Sequence, residues 1–157
     1  MSEEKVRIVK LEPARVASVH GFGSNPEEKA WKKLEAWARP KELMDKPGQH
    51  RIFGFNNPSP MPGSPNYGYE FWITVGPEVQ AEGEVEIKDF SGGLYAVMKW
   101  DGRNDPYHGI PETWKKLVAW REQSRYRQAG HQWLEEHLEP EMEGVEFMLD
   151  LYLPISE

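Results

Sequence analysis

The chain contains no cysteine, which rules out disulfides, thiolate metal sites and cysteine nucleophiles. It has no stretch near the roughly 20 consecutive apolar residues that a membrane-spanning helix requires. The opening Ser2-Glu3-Glu4-Lys5 does not resemble a secretory signal, so a cytoplasmic location and no membrane partner are expected. Positive charge is also in deficit, with a formal net charge of −7. Nucleic-acid binding draws on clustered Lys and Arg that displace counterions, so direct binding to DNA or RNA is not expected. A negative balance suits a cationic ligand, although acidic surfaces also serve solubility. Neither G-x-x-x-x-G-K-S/T nor G-x-S-x-G occurs, which leaves nucleotide hydrolysis and serine-hydrolase chemistry without a foothold. His20, His50, His108, His131 and His137 show no H-x-x-x-H spacing, so no metal or other cofactor is expected.

What the chain has in quantity is aromatic surface. Aromatics make up 12% of its 157 residues, with seven Trp, and 38% of residues are hydrophobic. That suffices for the core of one domain, or of two half-domains. The aromatics are patterned by a duplication. Ala30 to Trp37 reads A-W-K-K-L-E-A-W, and Thr113 to Trp120 reads T-W-K-K-L-V-A-W. Six of the eight positions are identical, at a constant offset of 83 (114 − 31 and 120 − 37). In each copy Trp, Leu and Trp fall at i, i+3 and i+6, on one face of a helix, with Lys-Lys opposite. Packing on a sheet accounts for Trp31, Trp37, Trp114 and Trp120. The repeat implies a pseudo-symmetric protein, and such proteins tend to hold ligands where their halves meet.

Punctuation by proline and glycine divides each half into strand, helix, strand, strand. In the first half, Val6–Leu11 reads as a strand that bends at Pro13 and resumes through Gly21. Asn25 is an N-cap candidate, with Pro26 at N1 and Glu28 at the capping-box position, for a helix to about Arg39. Lys41–Gln49 links to a strand over His50–Asn57, a proline-rich loop follows over Pro58–Pro65, and Tyr67–Val75 is a β-branched and aromatic strand. After a surface connection over Glu78–Glu84 the order repeats. Val85–Phe90 is a strand, Ser91-Gly92-Gly93 a bulge, and Leu94–Trp100 the strand's continuation. Asp101–Gly109 is a loop, and Pro111 opens a helix to about Gln128 with Gly130 as its stop. Strands over His131–Leu138 and Val145–Ile155 close the chain. The expected fold is α+β: one domain over 1–157 made of two modules, about 4–77 and about 84–157, with antiparallel sheets and two main helices.

Two acids stand alone in hydrophobic strands. Glu70 lies in Y-G-Y-E-F-W-I-T-V and Asp150 in F-M-L-D-L-Y-L, at repeat-equivalent positions 80 residues apart (150 − 70). Burying a lone carboxylate is costly unless it is paired or faces a ligand. Each is therefore either an outward-facing strand position or an acid in a binding cleft. Strand alternation puts Glu70, Trp72 and Thr74 on one side and Tyr69, Phe71 and Ile73 on the other. Trp72 and Tyr152 would then form the aromatic wall of a site.

The strand order, with F-G-F-N-N-P (Phe53–Pro58), Y-G-Y-E-F-W (Tyr67–Trp72), F-S-G-G-L-Y-A-V (Phe90–Val97) and D-L-Y-L-P-I (Asp150–Ile155), resembles the GyrI-like small-molecule-binding domain. That is the fold of the gyrase inhibitory protein and of the effector-binding domains of AraC- and MerR-type multidrug regulators. The resemblance implies two related modules with a cleft between them, lined by aromatics and buried carboxylates. It further implies bacterial, multidrug-type ligand binding in transcription regulation, DNA gyrase or a regulator as a possible protein partner, or hydrolysis of cyclopropane-bearing alkylating compounds. The regulators carry a helix-turn-helix region ahead of this domain, whereas this chain begins at the first strand, so a stand-alone form is expected.

Family members carry a Glu on the penultimate strand in a pattern like F-E-x-Y. Leu134-Glu135-Glu136-His137 occupies that place, which makes Glu135 the matching acid and the catalytic base if the protein is a hydrolase. Aligning Pro58 with Pro140 pairs Phe53 with Glu135 and Phe55 with His137, and alternation places Trp133, Glu135 and His137 on one face. A register shifted by one gives the role to Glu136 instead. A run of glutamates as a solvated edge is the plainer reading. The expected ligand is small, hydrophobic or cationic, anchored by Glu135 and stacked against Trp72, Tyr152 and Trp133.

Overall fold

The computed structural model describes residues 6–44, 50–57, 62–63, 66–101, 109–138 and 148–157. Its strands are β1 (Arg7–Leu11), β2 (Ala14–Gly23), β3 (Ile52–Asn56), β4 (Tyr67–Thr74), β5 (Glu86–Phe90), β6 (Gly93–Asp101), β7 (Arg127–Gln128), β8 (Leu134–His137) and β9 (Met148–Ser156). The helices are α1 (Pro26–Ala38) and α2 (Ile110–Gln123), each with a proline in its first turn, where the fixed φ and missing N–H cost nothing. The strand pairings are antiparallel, so the fold is α+β. Of the proline loop expected over Pro58–Pro65 only Pro62 and Gly63 are described; Pro140, His108 and Val145–Phe147 lie outside the described residues.

Two local expectations are revised. The Asn25 side chain makes no capping bond; its backbone carbonyl accepts from the Lys29 N–H at 3.3 Å, and Glu28 pairs instead with Lys32 one turn on. The second helix stops at Gln123 rather than near Gln128. The Ser124 hydroxyl donates to the Arg121 carbonyl at 2.8 Å, and Arg127 and Gln128 pair along β9 as β7. An available strand edge satisfies the backbone groups that a further helical turn would have satisfied internally.

The chain forms two compact units. The first, Ala14–Phe90, orders its strands β3-β4-β2-β5. α1 covers one face, where Ala17, Val19, Ile52, Tyr69, Phe71 and Ile73 meet Ala30, Leu34, Trp37 and Ala38. The helix lies close because position 21 is glycine: a Cβ there would sit 2.6 Å from the Pro26 carbonyl oxygen and 2.8 Å from the Ala30 nitrogen. Burial of Leu34, Phe71 and Ile73 contributes about 1.5–3 kcal/mol each. The Trp-Leu-Trp stripe read from the sequence faces this core, with Leu34 at its centre and Trp31 and Trp37 beside it.

The second unit, Met1–Pro13 with Ser91–Glu157, orders its strands β1-β6-β9-β8, with β7 also beside β9. α2 covers Ala96, Met98, Leu149, Leu151, Leu153 and Ile155 through Leu117, Trp114, Val118 and Trp120. The sequence suggested that β1 bends into β2 and β5 bulges into β6. Instead β1 pairs with β6, and β5 with β2. The first strand of each repeat thus belongs to the unit built mainly from the other repeat. Pro13 has no N–H to continue a ladder. Gly92 at φ 79° and Gly93 at φ 154° adopt backbone that side-chain-bearing residues rarely do, and a Cβ on Gly92 would strike the Leu11 carbonyl oxygen.

Candidate functional site

In the first unit the face turned away from α1 carries aromatic rings around one carboxylate. Alternation along β4 sets Glu70 and Trp72 on that face. The register places Phe55 and His20 opposite Glu70, and Phe53 and Ser18 opposite Trp72. Phe55 meets Trp72 edge-on at 4.9 Å between centroids, and Phe90 lies 5.5 Å from Trp72. Glu70 is 3% exposed, yet four donors hold it. Ser18 Oγ (2.6 Å), Trp72 Nε1 (2.7 Å) and Lys88 Nζ (2.8 Å) donate to Oε2, and Asn57 Nδ2 donates to Oε1 at 2.9 Å. Burial pushes the carboxyl up, but the bonds from Lys88, Ser18, Asn57 and Trp72 outweigh it and hold Glu70 below its ordinary value. The result is an ionised carboxylate, paired with the Lys88 ammonium, among Phe53, Phe55, Trp72 and Phe90. Such a group recognises charge and is a weak base.

The corresponding face of the second unit also holds acids and aromatics. Tyr152 Oη donates to Glu136 Oε1 at 2.7 Å, and Tyr152 packs edge-on against Tyr95 at 5.4 Å. Tyr95 Oη donates to the Gln132 carbonyl at 2.6 Å, and burial pushes its phenol up. Asp150 is the cross-strand partner of Glu136, so both acids share this face, and the Arg7 guanidinium lies 2.8 Å from Asp150 Oδ1. Both acids are buried. Buried acids need donors or counter-charges close by, and Tyr152 and Arg7 supply them.

The model of the GyrI-like small molecule binding domain matches residues 4–156. The chain belongs to the GyrI-like family. A search of curated proteins finds no match for this GyrI-like chain. Among solved structures, the C-terminal domain of EcmrR superposes with a TM-score of 0.67 at 16% identity, covering 98% of each chain. The present chain spans only 57% of the length of the EcmrR chain in an EcmrR–DNA complex. A hydrolase from Listeria innocua matches with a TM-score of 0.70 at 14% identity over 98% of this chain and 93% of that one. SAV2435, solved bound to tetraphenylphosphonium, matches with a TM-score of 0.58 at 11% identity over 97% and 94%. At these identities the likeness shows the fold alone.

Within the GyrI-like fold the residues singled out from the sequence separate into two groups. Glu70, Trp72, Phe53 and Phe55 come together on one face of the first unit, and Asp150 and Tyr152 on the corresponding face of the second. Glu135 and His137 do not join them. They stand opposite Leu151 and Leu149, on the face that α2 covers, while Leu134 and Glu136 stand opposite Tyr152 and Asp150. The register is therefore one residue away from the Pro58–Pro140 alignment: Phe53 corresponds to Leu134 and Phe55 to Glu136, both 81 apart (134 − 53 and 136 − 55). A one-residue slip moves every side chain to the other face. Trp133 packs against Trp114 of α2 at 5.1 Å and is 41% exposed, away from the Tyr152 face. His137 is buried, and desolvation pushes it down to about 3, so it stays neutral.

Sequence reasoning missed Lys88, Ser18 and Asn57 as partners of Glu70, and Arg7 as the partner of Asp150. Lys88 was legible as a lone cation in a strand, but its partner lies on a strand that β2 separates from it. No helix among the described residues is long and apolar enough to cross a membrane.

Proposed function

We propose that this chain binds lipophilic aromatic compounds, cationic ones in preference, on the face of the first unit that carries Glu70, Trp72, Phe53, Phe55 and Phe90. Its role is to sequester such compounds or to sense them as effectors for a transcription regulator. The observation that carries this reading is a buried carboxylate kept ionised by four hydrogen bonds among aromatic rings. A cation over such rings gains roughly 0.5–2 kcal/mol, and the carboxylate adds charge pairing. The tetraphenylphosphonium bound to a fold neighbour is a compound of this class.

The test is a thermal-shift panel of aromatic cations and neutral analogues on the wild type and on Glu70→Gln. Cations raise Tm in the wild type, and the variant loses that response while keeping its response to neutral rings. Equal responses to both classes in both proteins refute the reading. Hydrolysis of a cyclopropane-bearing compound is a separate outcome, visible as turnover beyond one equivalent. The engaged, weakly basic Glu70 does not favour it.

A further inference from the structure

The Glu70 site already contains a cation of its own. Of the four groups bonded to Glu70, Lys88 alone is charged. It differs from Ser18 and Trp72 in a second respect. Ser18 and Trp72 are buried strand residues with few conformations open to them. Lys88 reaches in from β5, the strand at one end of the first unit's order, on a flexible four-carbon stem, and its side chain is 40% exposed while that of Glu70 is 4% exposed. A long ammonium side chain at that exposure has water to return to when it lets go.

Charge balance then constrains what can bind. With Lys88 in place the carboxylate is neutralised, and Oε2, which has two lone pairs, already accepts from three donors, while Oε1 accepts from one. A ligand cation added beside this pair would place uncompensated positive charge among Phe53, Phe55 and Trp72, which is costly in a dry setting. If Lys88 swings outward, the ligand cation takes its place on Oε2 and the count is restored, with Ser18, Trp72 and Asn57 unmoved. A neutral aromatic ligand requires no such exchange.

The second unit repeats the device. Asp150, equivalent to Glu70, is 7% exposed at its side chain and meets the half-exposed guanidinium of Arg7 on β1. β1 and β5 are equivalent strands: Arg7 faces Val97 where Glu86 faces Ser18, 79 residues on (86 − 7). In both units a half-exposed cation from this equivalent strand is set on the buried acid.

We propose that Lys88 is an internal competitor for the cation position on Glu70, and that cationic ligands bind by displacing its ammonium. The inference deepens the binding reading above and rests on it. It makes Lys88 a specificity-determining residue that restrains affinity for cations and leaves neutral aromatics unaffected.

The experiment compares the wild type, Lys88→Met and Lys88→Arg by calorimetric titration with tetraphenylphosphonium as cation and triphenylphosphine oxide as neutral probe. Lys88→Met keeps the apolar stem and removes the charge. It tightens tetraphenylphosphonium binding by roughly three- to tenfold, in line with a partly exposed ion pair of modest strength, and leaves the neutral probe unchanged. Lys88→Arg keeps the competitor and retains wild-type selectivity or weakens cation binding. Circular dichroism confirms that each variant is folded, and if Lys88→Met does not fold, Lys88→Gln replaces it. Cation affinity equal in the wild type and the uncharged variant, with the wild type binding the cation, overturns the displacement and leaves the binding reading standing. No binding of either probe by any of the proteins overturns the reading and the inference together.

Discussion

Replacing Glu70 by Gln or Ala probes the part of the structure on which the functional reading depends. In the wild type, hydrogen bonds to an ionised acceptor are worth about 1.5–3 kcal/mol each, against about 0.5–1.5 kcal/mol for neutral pairs. Gln can keep its oxygen toward Ser18, Trp72 and Lys88 and turn its amide to Asn57, which can present its own oxygen in return. Charge assistance is lost at each bond, and the desolvation cost of burying a carboxylate is recovered. The net effect is a destabilisation of about 1–2 kcal/mol. Ala leaves Ser18, Trp72 and Lys88 without their acceptor and removes packing, so it costs about 3–5 kcal/mol. Urea denaturation, followed by tryptophan fluorescence and by circular dichroism, measures both. Glu28→Gln serves as control, since Glu28 makes only an exposed pair with Lys32. The pH dependence supplies a second check. The folded carboxyl is held below its ordinary value of 4.5, so its contribution is complete above that value and is lost as pH falls through the lower folded value. Glu70→Gln removes that part of the acid sensitivity. Glu70→Ala no more costly than the Glu28 control, or an unchanged acid profile in Glu70→Gln, refutes the network.

Other outcomes follow from the same geometry. His137 is held neutral at about 3 against an ordinary 6.5, so the unfolded chain binds the extra proton between those values. Stability therefore falls as pH drops through that window, with a slope of up to about 1.4 kcal/mol per pH unit; His137→Gln flattens it in urea titrations run at several pH values. Tyr152→Phe strips the buried Glu136 of a 2.7 Å donor and costs about 1–3 kcal/mol in the same assay. Leu117→Ala empties a fully buried position under α2 and lowers stability by about 2–5 kcal/mol. Gly21→Ala pushes a methyl into the backbone of α1 and lowers Tm, whereas Gly130→Ala, with open space around its Cα, does not.

Local chemistry made a large part of the fold readable in advance. The duplicated Trp-Leu-Trp spacing located both helices and the faces they bury, since a helix's apolar period shows within one short segment. Tyr67–Thr74 was legible as a strand from its β-branched and aromatic content, and its alternation already separated Glu70 and Trp72 from Tyr69, Phe71 and Ile73. The end of α2 was not legible, because it depends on the free edge of β9, which joins the sheet more than twenty residues later in the chain.

Sequence alone thus determined the duplicated elements, the α+β class, and two acids set in apolar strands. Tertiary structure decided how those elements combine. Which strand lies beside which is fixed by hydrogen bonds between residues far apart in the chain, so the exchange of β1 and β5 between the repeats left no local trace. The same holds for register: β8 turns Glu136 rather than Glu135 toward Tyr152 because its pairing with β9 sets the phase, and a strand of period two carries either phase equally well. Whether Glu70 is exposed or buried, and that Lys88 pairs with it, likewise depends on strands that meet only when the chain folds.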